Sequence, residues 1–322
     1  MNNVKNNIDL KKVGIVVIGR NEGERLEKCL QSIVGTKATI IYVDSASSDN
    51  SISIANKYNI ECIELSEDRK LSAALARNVG IKHLITCPEL DYIQLIDADC
   101  ELNEHWLENS VNHLQDNPNT AAVCGRLREK HVNASIYNKL ADLSWYIPSG
   151  FINSCGGLAL VRARIFREGL FFNAELIAGE EPEFYKRVKK LGFEIQCIDF
   201  EMASHDSAMH HFSQWWTRNT KSGYGYASAK EWDGFVGQER SILIWATLIP
   251  LLILICSLIT PISLLLLLVY PLQAIRVALK LKKPYRFKDK LLESIFILLA
   301  KFPQQIGVLR FKFNKVNNLQ YK

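Results

Sequence analysis

The chain has 322 residues, with 39 lysines and arginines against 34 acidic residues and a formal net charge of +5. Much of that modest excess sits late and beside apolar sequence, at Lys280, Lys282, Lys283, Arg286, Lys288 and Lys290, which points to anionic lipid rather than nucleic acid. Eight cysteines without a C-x-x-C pair exclude a disulfide frame or zinc site and read as buried thiols in a reducing compartment. Residues 1–12 are polar and lack the apolar core of a signal peptide, so the sequon Asn133-Ala134-Ser135 carries no weight.

The β-branched run Val13-Gly14-Ile15-Val16-Val17-Ile18 predicts a strand buried on both faces, ending in Gly19-Arg20-Asn21-Glu22. Leu26, Leu30 and Ile33 then repeat at helical spacing. Residues 40–43 predict a second buried strand, closing on Asp44-Ser45-Ala46-Ser47-Ser48-Asp49, whose last residues suit the cap of a helix from Ser51. A third strand is expected over 62–65 and a helix over 71–81, carrying Arg77-Asn78. Next, Tyr92-Ile93-Gln94-Leu95-Ile96 runs into Asp97-Ala98-Asp99. On an extended strand residues i and i+2 share a side, so both carboxylates project from the carboxyl end of a buried strand, where open α/β sheets bind ligands. Two such carboxylates repel unless a cation is near, and hard divalent ions suit oxygen ligands. The same two residues would also serve as helix caps. The alternation of strands and helices predicts a parallel sheet with helices on both faces. G-x-G-x-x-G is missing after the first strand and G-x-x-x-x-G-K-[ST] is missing throughout, which disfavours dinucleotide and P-loop readings.

Four motifs in order, Val17-Ile18-Gly19-Arg20-Asn21-Glu22, Val43-Asp44-Ser45-Ala46-Ser47-Ser48-Asp49, Ala76-Arg77-Asn78-Val79-Gly80 and Asp97-Ala98-Asp99, resemble the family 2 glycosyltransferases of GT-A fold over roughly residues 13–220. The resemblance implies an inverting transfer of a sugar from a nucleotide-diphospho-sugar to an acceptor hydroxyl, helped by Mg²⁺ or Mn²⁺. It implies a nucleotide-sugar site built from Arg20, Asn21, Glu22, Asp44, Ser47, Arg77, Asn78, Asp97 and Ala98. Within it Asp44 would meet uracil or an equivalent base, Arg77 and Asn78 would line the nucleotide pocket, Asp97 would lie near the ribose, and Asp99 would ligate the metal on the diphosphate. Ser45 stands where many relatives have a second Asp, a departure that touches base recognition.

Further along, residues 103–115 predict a helix with Trp106, Leu107, Val111 and Leu114 inward, and 121–124 a strand. Arg126, Arg128, Lys130 and His131 form a basic stretch, read as a solvated face or as contact to a phosphate-bearing acceptor, and Trp145, Tyr146 and Phe151 follow. Cys155-Gly156-Gly157-Leu158 resembles the family's glycine-bearing segment beneath the acceptor, although a plain turn into a strand would read the same. In Gly179-Glu180-Glu181-Pro182-Glu183-Phe184 the proline suits a first helical turn, and Phe184, Val188 and Leu191 give an apolar stripe that Gly192 ends. Glu180 and Glu181 then sit at a helix N-terminus, where the dipole favours carboxylates. This segment resembles the family's Glu-Asp pair, whose second member is the general base; that position is Glu181, beside Glu180, with Glu in place of the commoner Asp. Residues 193–198 predict a strand, and by resemblance to GT-A enzymes that add a histidine to the metal, His205 is the expected further ligand, ahead of His210 and His211. In Phe212-Ser213-Gln214-Trp215-Trp216-Thr217-Arg218, Arg and Trp stand in the wrong order for the Q-x-x-R-W of processive synthases, so no polymerase is inferred. Trp215 and Trp216 are expected at a membrane interface or in a core, and Arg218 and Lys221 near the leaving diphosphate.

Residues 241–275 contain no charge, enough for a hairpin of two short spans broken at Pro261, or for one kinked span. Arg240 before the run and the basic residues after it favour a cytoplasmic side for both ends. Residues 291–302 are apolar but hold Glu293 and Lys301, as in an amphipathic helix lying on a bilayer. The expected organisation is a tail (1–12), a GT-A catalytic domain (13–235), a transmembrane hairpin (236–279) and a basic loop, interfacial helix and tail (280–322). The expected fold class is α/β, the GT-A nucleotide-diphospho-sugar transferase fold: a mostly parallel sheet flanked by helices, with C-terminal transmembrane or interfacial helices. Expected partners are a nucleotide-sugar donor, a lipid-linked or glycan acceptor and membrane lipid, with no nucleic acid, at the inner membrane with the catalytic domain cytoplasmic. Cell-envelope or exopolysaccharide synthesis is the expected setting. Two rival readings remain: a sugar-phosphate nucleotidyltransferase, which would need a glycine-rich loop with Arg and Lys after the first strand, and an inactive membrane scaffold.

Overall fold

Val13, Ile15, Val16 and Val17 are fully buried, so the first apolar run forms a strand covered on both faces, β1 (Val13–Gly19). The structure is a computed structural model that describes residues 9–68, 71–176, 179–229 and 236–317. From β1 the chain alternates through α1 (Glu24–Ile33), β2 (Thr39–Asp44), α2 (Ser51–Lys57), β3 (Glu61–Glu64), α3 (Ala73–Leu84) and β4 (Tyr92–Asp97). β1 pairs in parallel with β2 and β4, and β2 with β3, as the alternation predicts. β5 (Cys100–Leu102), α4 (Trp106–Asp116) and β6 (Thr120–Glu129) follow, and after α5 (Ile136–Ser144) come β7 (Gly150–Phe151), β8 (Ala159–Arg162), α6 (Ala163–Arg167), α7 (Glu180–Lys190) and β9 (Glu194–His205).

The strand order is β3-β2-β1-β4-β8-β6-β9-β5, with β7 also on β9. Past β4 the sheet becomes mixed: β8 runs antiparallel to β4 and β6, β6 and β9 are parallel, and β5 is antiparallel to β9. β6 and β9 are much longer than their apolar runs. They carry charged residues outward, where Arg126 pairs with Asp199 and Lys130 with Glu101. Of the basic stretch, Arg126 and Arg128 therefore lie on β6, while Lys130 and His131 follow it. Inside, Gln94 on β4 is fully buried but satisfied, accepting from Trp106 Nε1 at 2.8 Å and donating to the Leu95 carbonyl. All eight cysteines are free thiols.

Two compact units result: Met1–Lys130 with Ile147–Ser207, and His131–Tyr146 with Ala208–Lys322. The expected domain boundary at residue 235 lies outside the described residues. The second unit is helical: α5, α8 (Phe212–Ala229), α9 (Val236–Leu243), a π-helical turn (Ile244–Leu248), α10 (Ile249–Ile259), a 3₁₀ segment (Pro261–Leu268), α11 (Val269–Lys280) and α12 (Phe287–Val316). The π turn directly precedes Pro250, which has no N–H to give the preceding turn. The break at Pro261 falls where expected, with Thr260 extended before it. Gly237–Ile259, Pro261–Lys280 and Phe287–Val316 are each long and apolar enough to cross a membrane. The last is far longer than the predicted 291–302, because its polar residues have partners within the unit: Glu293 pairs with Lys283 at 2.6 Å and Asp289 with Lys139 at 2.5 Å.

α8 and α12 meet at bare backbone. A Cβ at Gly223 would overlap the Gln304 backbone, and one at Gly307 would overlap Thr220 and Tyr224. Trp215 fills the space beside them, stacked on Phe212 at 5.5 Å and edge-on to Phe296 at 5.2 Å, so it serves as core of this unit. Leucine at Gly307 should overpack this crossing at a cost of about 1–3 kcal/mol. A lower melting temperature in nonionic micelles is the expected result, while alanine at Gly237, which faces open space, should leave it unchanged.

Candidate active site

The loops after β1 and β2 lock into each other. Asn21 (φ 57°) and Ala46 (φ 58°) both adopt the left-handed region, which non-glycine residues enter at some cost. Hydrogen bonds hold them there: Asn21 N–H donates to Ser47 Oγ at 2.8 Å, Ser48 N–H to Asn21 Oδ1 at 2.7 Å, and Ser45 N–H to the Gly19 carbonyl at 2.9 Å. Asp44 is only 1% exposed and accepts from the Tyr42 hydroxyl (2.8 Å), Ser47 N–H (2.7 Å) and Ser47 Oγ (2.6 Å). Both of its oxygens are therefore turned into the loop, and Ser45 lines the cleft in its place. Asn78 is likewise spent inside, donating to the Phe172 carbonyl at 2.7 Å and accepting from Phe172 N–H at 3.0 Å. Of the residues expected at a nucleotide-sugar, Asn21, Asp44, Ser47 and Asn78 build the frame.

Arg20, Glu22, Arg77, Asp97, Ala98 and Asp99 come together around a cleft of about 360 Å³ at the carboxyl ends of β1 and β4. Arg20 reaches Glu67 at 3.1 Å on the rim. Ser72, which the sequence reading passed over, also lines the cleft and caps α3 by accepting from Leu75 N–H at 3.2 Å. The positive end of α3 thus faces this space, a favourable place for an anion. A serine just before a helical pattern was the signal available for it.

Arg77 is the centre of the site. Its side chain is 4% exposed and lies 2.9 Å from Asp97 Oδ1, 3.2 Å from Glu180 Oε1 and 3.5 Å from Glu181 Oε1. The face of Phe172 lies 5.8 Å from the guanidinium carbon. Burial opposes the Arg77 charge, but Asp97, Glu181 and Glu180 more than offset that and raise its pKa. Three carboxylates around one cation leave an acid surplus. Burial therefore raises Glu180, with Glu181 adding and Arg77 opposing. Asp97 opens to the cleft with a third of its side chain yet is closely surrounded, and burial also raises it, against Arg77 and reinforced by Asp99. Burial pushes Glu22 up to about 7, although Arg25 lies 2.6 Å away. The double glycine now has a purpose: a Cβ at Gly157 would overlap the Arg77 guanidinium and crowd Glu181 Oε1 at 3.2 Å.

Opposite this network, the β5–β9 register sets Cys100 across from His205 and brings His205 Nε2 to 3.0 Å from Asp99 Oδ2. Donor atoms of Asp99, Cys100 and His205 lie within 4.8 Å of one another. Burial raises Asp99, but the hydrogen bond and charge of His205 pull it below its ordinary value. Burial drives the Cys100 thiol well up, so it stays protonated and donates to Asp99 Oδ1 at 3.4 Å. A carboxylate and an imidazole, with the carboxylates of Glu22 and Asp97 acting on Asp99's neighbourhood, form a donor set suited to Mg²⁺ or Mn²⁺. His210 and His211 belong to the helical unit, where their N–H groups donate to Gln214 Oε1 at 2.8 and 2.9 Å and close the start of α8. Arg218 and Lys221, expected near the diphosphate, also belong to α8.

Residues 14–169 match the family model described as glycosyl transferase family 2. Those residues form a family 2 glycosyltransferase domain. The fold of this glycosyltransferase is shared with the mannosyltransferase PcManGT from Pyrobaculum calidifontis in complex with GDP-Man and Mn²⁺, at 17% identity over 90% of this chain and 86% of that one, TM-score 0.54. Residues 1–349 of S. aureus TarS in complex with UDP align over 96% of this chain and 93% of that chain, at 13% identity and a TM-score of 0.48. Against a longer S. aureus TarS structure (13% identity, TM-score 0.47) the alignment covers 66% of this chain, and the glycosyltransferase spans 39% of that chain's length. No curated protein matches the sequence. The match takes in Arg77, Asp97, Asp99 and Gly157 and stops short of Glu180, Glu181 and His205.

Two outcomes are expected from the Arg77 network. Gly157→Ala should displace the guanidinium and lower nucleotide-sugar turnover at least tenfold while the protein stays folded, checked by steady-state kinetics beside circular dichroism. Because the Glu180 pKa is raised, the folded state keeps a proton that the unfolded chain has already lost, so stability falls as pH climbs from the ordinary carboxylate range toward the raised value. Glu180→Gln should remove that decline: its melting temperature should exceed the wild type's most at pH 8 and converge with it at pH 4.

Proposed function

We propose that this chain transfers a sugar, with inversion, from a nucleotide-diphospho-sugar to an acceptor that is lipid-linked, at the cytoplasmic face of the inner membrane. The observation that carries the reading is the Arg77 bridge, one guanidinium joining Asp97 at the cleft to Glu180 and Glu181 on α7. It fixes the spacing between a donor side and an acceptor side of one site.

Glu181 is the general base. Its side chain is 21% exposed against 8% for Glu180, so it is the member of the pair that can reach an acceptor. As the acceptor oxygen attacks the anomeric carbon, its proton passes to the Glu181 carboxylate, and the bond to the diphosphate oxygen breaks on the opposite face with its electron pair. Glu180, the less exposed of the two and 3.2 Å from Arg77, holds the guanidinium beside Glu181. The positive end of α3 at Ser72 faces the diphosphate, and Asp97 accepts from the ribose. Asp99 and His205 would hold Mg²⁺ or Mn²⁺, which neutralises charge on the diphosphate. The Mn²⁺ and GDP-Man in the PcManGT structure support that choice of cofactor and donor class.

A lipid-linked acceptor is supported by the three helices long and apolar enough to cross a membrane. Arg240 and the basic residues from Lys280 to Lys290 support the cytoplasmic side, and cell-envelope or exopolysaccharide synthesis is the setting such an acceptor favours. The nucleotidyltransferase reading lacks its loop: Gly19-Arg20-Asn21-Glu22 has no glycine-rich run with Arg and Lys and places the half-buried Glu22 carboxylate in the cleft.

The test uses the full chain in micelles, a panel of labelled nucleotide-sugars with Mn²⁺ or Mg²⁺, and lipid-linked and water-soluble acceptors. Glu181→Gln should lower turnover by roughly 100-fold or more, the scale of a lost acid–base group, and Asp99→Ala by a similar factor through loss of a metal ligand, neither lowering the melting temperature. Full activity in both variants would remove the site assignment. A wild type that neither binds nor consumes any nucleotide-sugar with either metal would favour the inactive scaffold.

A further inference from the structure

The helical unit contains a second cavity, of about 400 Å³, lined by residues of α5, α8, α9 and α12. Its apolar wall includes Leu140, Trp215, Phe296 and Ile297. Its polar wall is unusual for helices of this composition. Lys301, at the middle of α12, is 6% exposed, and its ammonium donates to Gln238 Oε1 at 3.2 Å, the one partner it has among the described residues. One turn on, Gln304 is 7% exposed; its amide nitrogen approaches Asn219 Oδ1 at 3.5 Å, while its carbonyl oxygen is buried with no partner. Arg218 of α8 lines the same space.

A buried ammonium with only a neutral amide beside it is costly, and the cost falls when an anion is supplied. Glu293 also borders the cavity but does not supply it. Its Oε1 is engaged by Lys283 at 2.6 Å and its Oε2 is buried without a hydrogen-bond partner, but it lies eight residues from Lys301 along α12, about 12 Å by helical rise. The cavity is thus cationic at its Lys301 end and apolar along its wall. Two of the helices that form it, α9 and α12, lie in segments long and apolar enough to cross a membrane. Free anions are scarce in such surroundings, whereas a lipid headgroup brings its charge attached to a tail.

We propose that this cavity binds the phosphate of an anionic amphiphile, with Lys301 as its counter-ion, Arg218 and the N–H groups of the Gln304 amide donating to its oxygens, and the first part of its chain against Leu140 and Ile297. The proposal rests on the membrane reading of the helical unit and is independent of which sugar is moved.

The experiment measures binding to the full chain in nonionic micelles, by thermal shift and by tryptophan fluorescence, since Trp145 and Trp215 line the cavity. Three probes separate the sources of affinity: dodecyl phosphate, dodecanol and inorganic phosphate. Dodecyl phosphate should raise the melting temperature and change the fluorescence saturably, with the other two at least tenfold weaker. Lys301→Met should weaken dodecyl phosphate at least tenfold while its ligand-free melting temperature does not fall. Gln304→Leu gives a second reading should the first variant not fold. Equal binding of dodecanol would overturn the proposal in favour of a purely apolar cavity, and equal binding of inorganic phosphate in favour of a soluble-anion site. Unchanged affinity in the variants would overturn it as well. Because no nucleotide-sugar is present, failure here is distinguishable from failure of the transfer reading.

Discussion

One buried guanidinium holds the first unit's cleft in shape. Arg77 leaves α3 and meets carboxylates from β4 and α7, with the ring of Phe172 close by and no side chain at Gly157 to obstruct it. Three carboxylates more than balance that charge in the interior, so one acid can be neutralised cheaply, whereas removing the guanidinium itself would leave buried acids unpaired at a cost of about 3–5 kcal/mol. Asn78, the next residue, clamps the Phe172 backbone from both sides, so the segment that approaches Arg77 is itself fixed from α3. The carboxyl end of a strand, a helix N-terminus and a glycine turn are thereby tied to a single side chain. Their distances to one another then vary little, as a reaction between two bound molecules requires.

The sheet supplies the rest of the geometry. Its parallel half brings the ends of β1 and β4 side by side, so that Glu22 and the Asp97–Asp99 pair share a floor. Its mixed half does something a wholly parallel sheet could not: β9 runs long, takes β5 as an antiparallel partner, and returns His205 to the end of β4. The loops after β1 and β2 are rigid for a separate reason, since two left-handed residues are held by reciprocal hydrogen bonds. Asp44 stiffens that frame from below.

How much of this is legible in the sequence depends on where each residue's partners lie. Strands buried on both faces write themselves as unbroken apolar runs, so β1, β2 and β4 and the acids at their ends can be read directly. β6 and β9 carry charged residues, with Arg126 of β6 paired to Asp199 of β9, and their true length is hidden by the break in pattern. The Glu180–Glu181 pair is legible by resemblance, but the surplus of acids around Arg77 is not, because Asp97 lies 20 residues away and Glu180 lies 103. Asp44 has partners a family motif does not announce: the resemblance points it at the base, and Tyr42 and Ser47 of this chain donate to its two oxygens. α5 is invisible because its lysine finds its acid 150 residues on, and α12 looks short because Glu293 and Lys301 interrupt an apolar pattern that their partners inside the unit repair.

The placement of α5 has a consequence for how the molecule could be taken apart. Residues 131–146 belong with the C-terminal helices, yet they are inserted between β6 and β7 of the sheet, so the backbone passes from one unit to the other after residue 130, after 146 and again after 207. No single cut separates the two. A fragment ending near residue 207 would still carry α5, stripped of Asp289 and of Lys283, which donates to the Leu143 carbonyl at 2.5 Å. Shedding the apolar helices by proteolysis or by gene truncation would thus leave a catalytic body with a sticky, half-folded appendage. Separating the two units would require excising two segments and rejoining the chain, so the helical unit interrupts the sequence of the sheet unit and is not merely appended to its end.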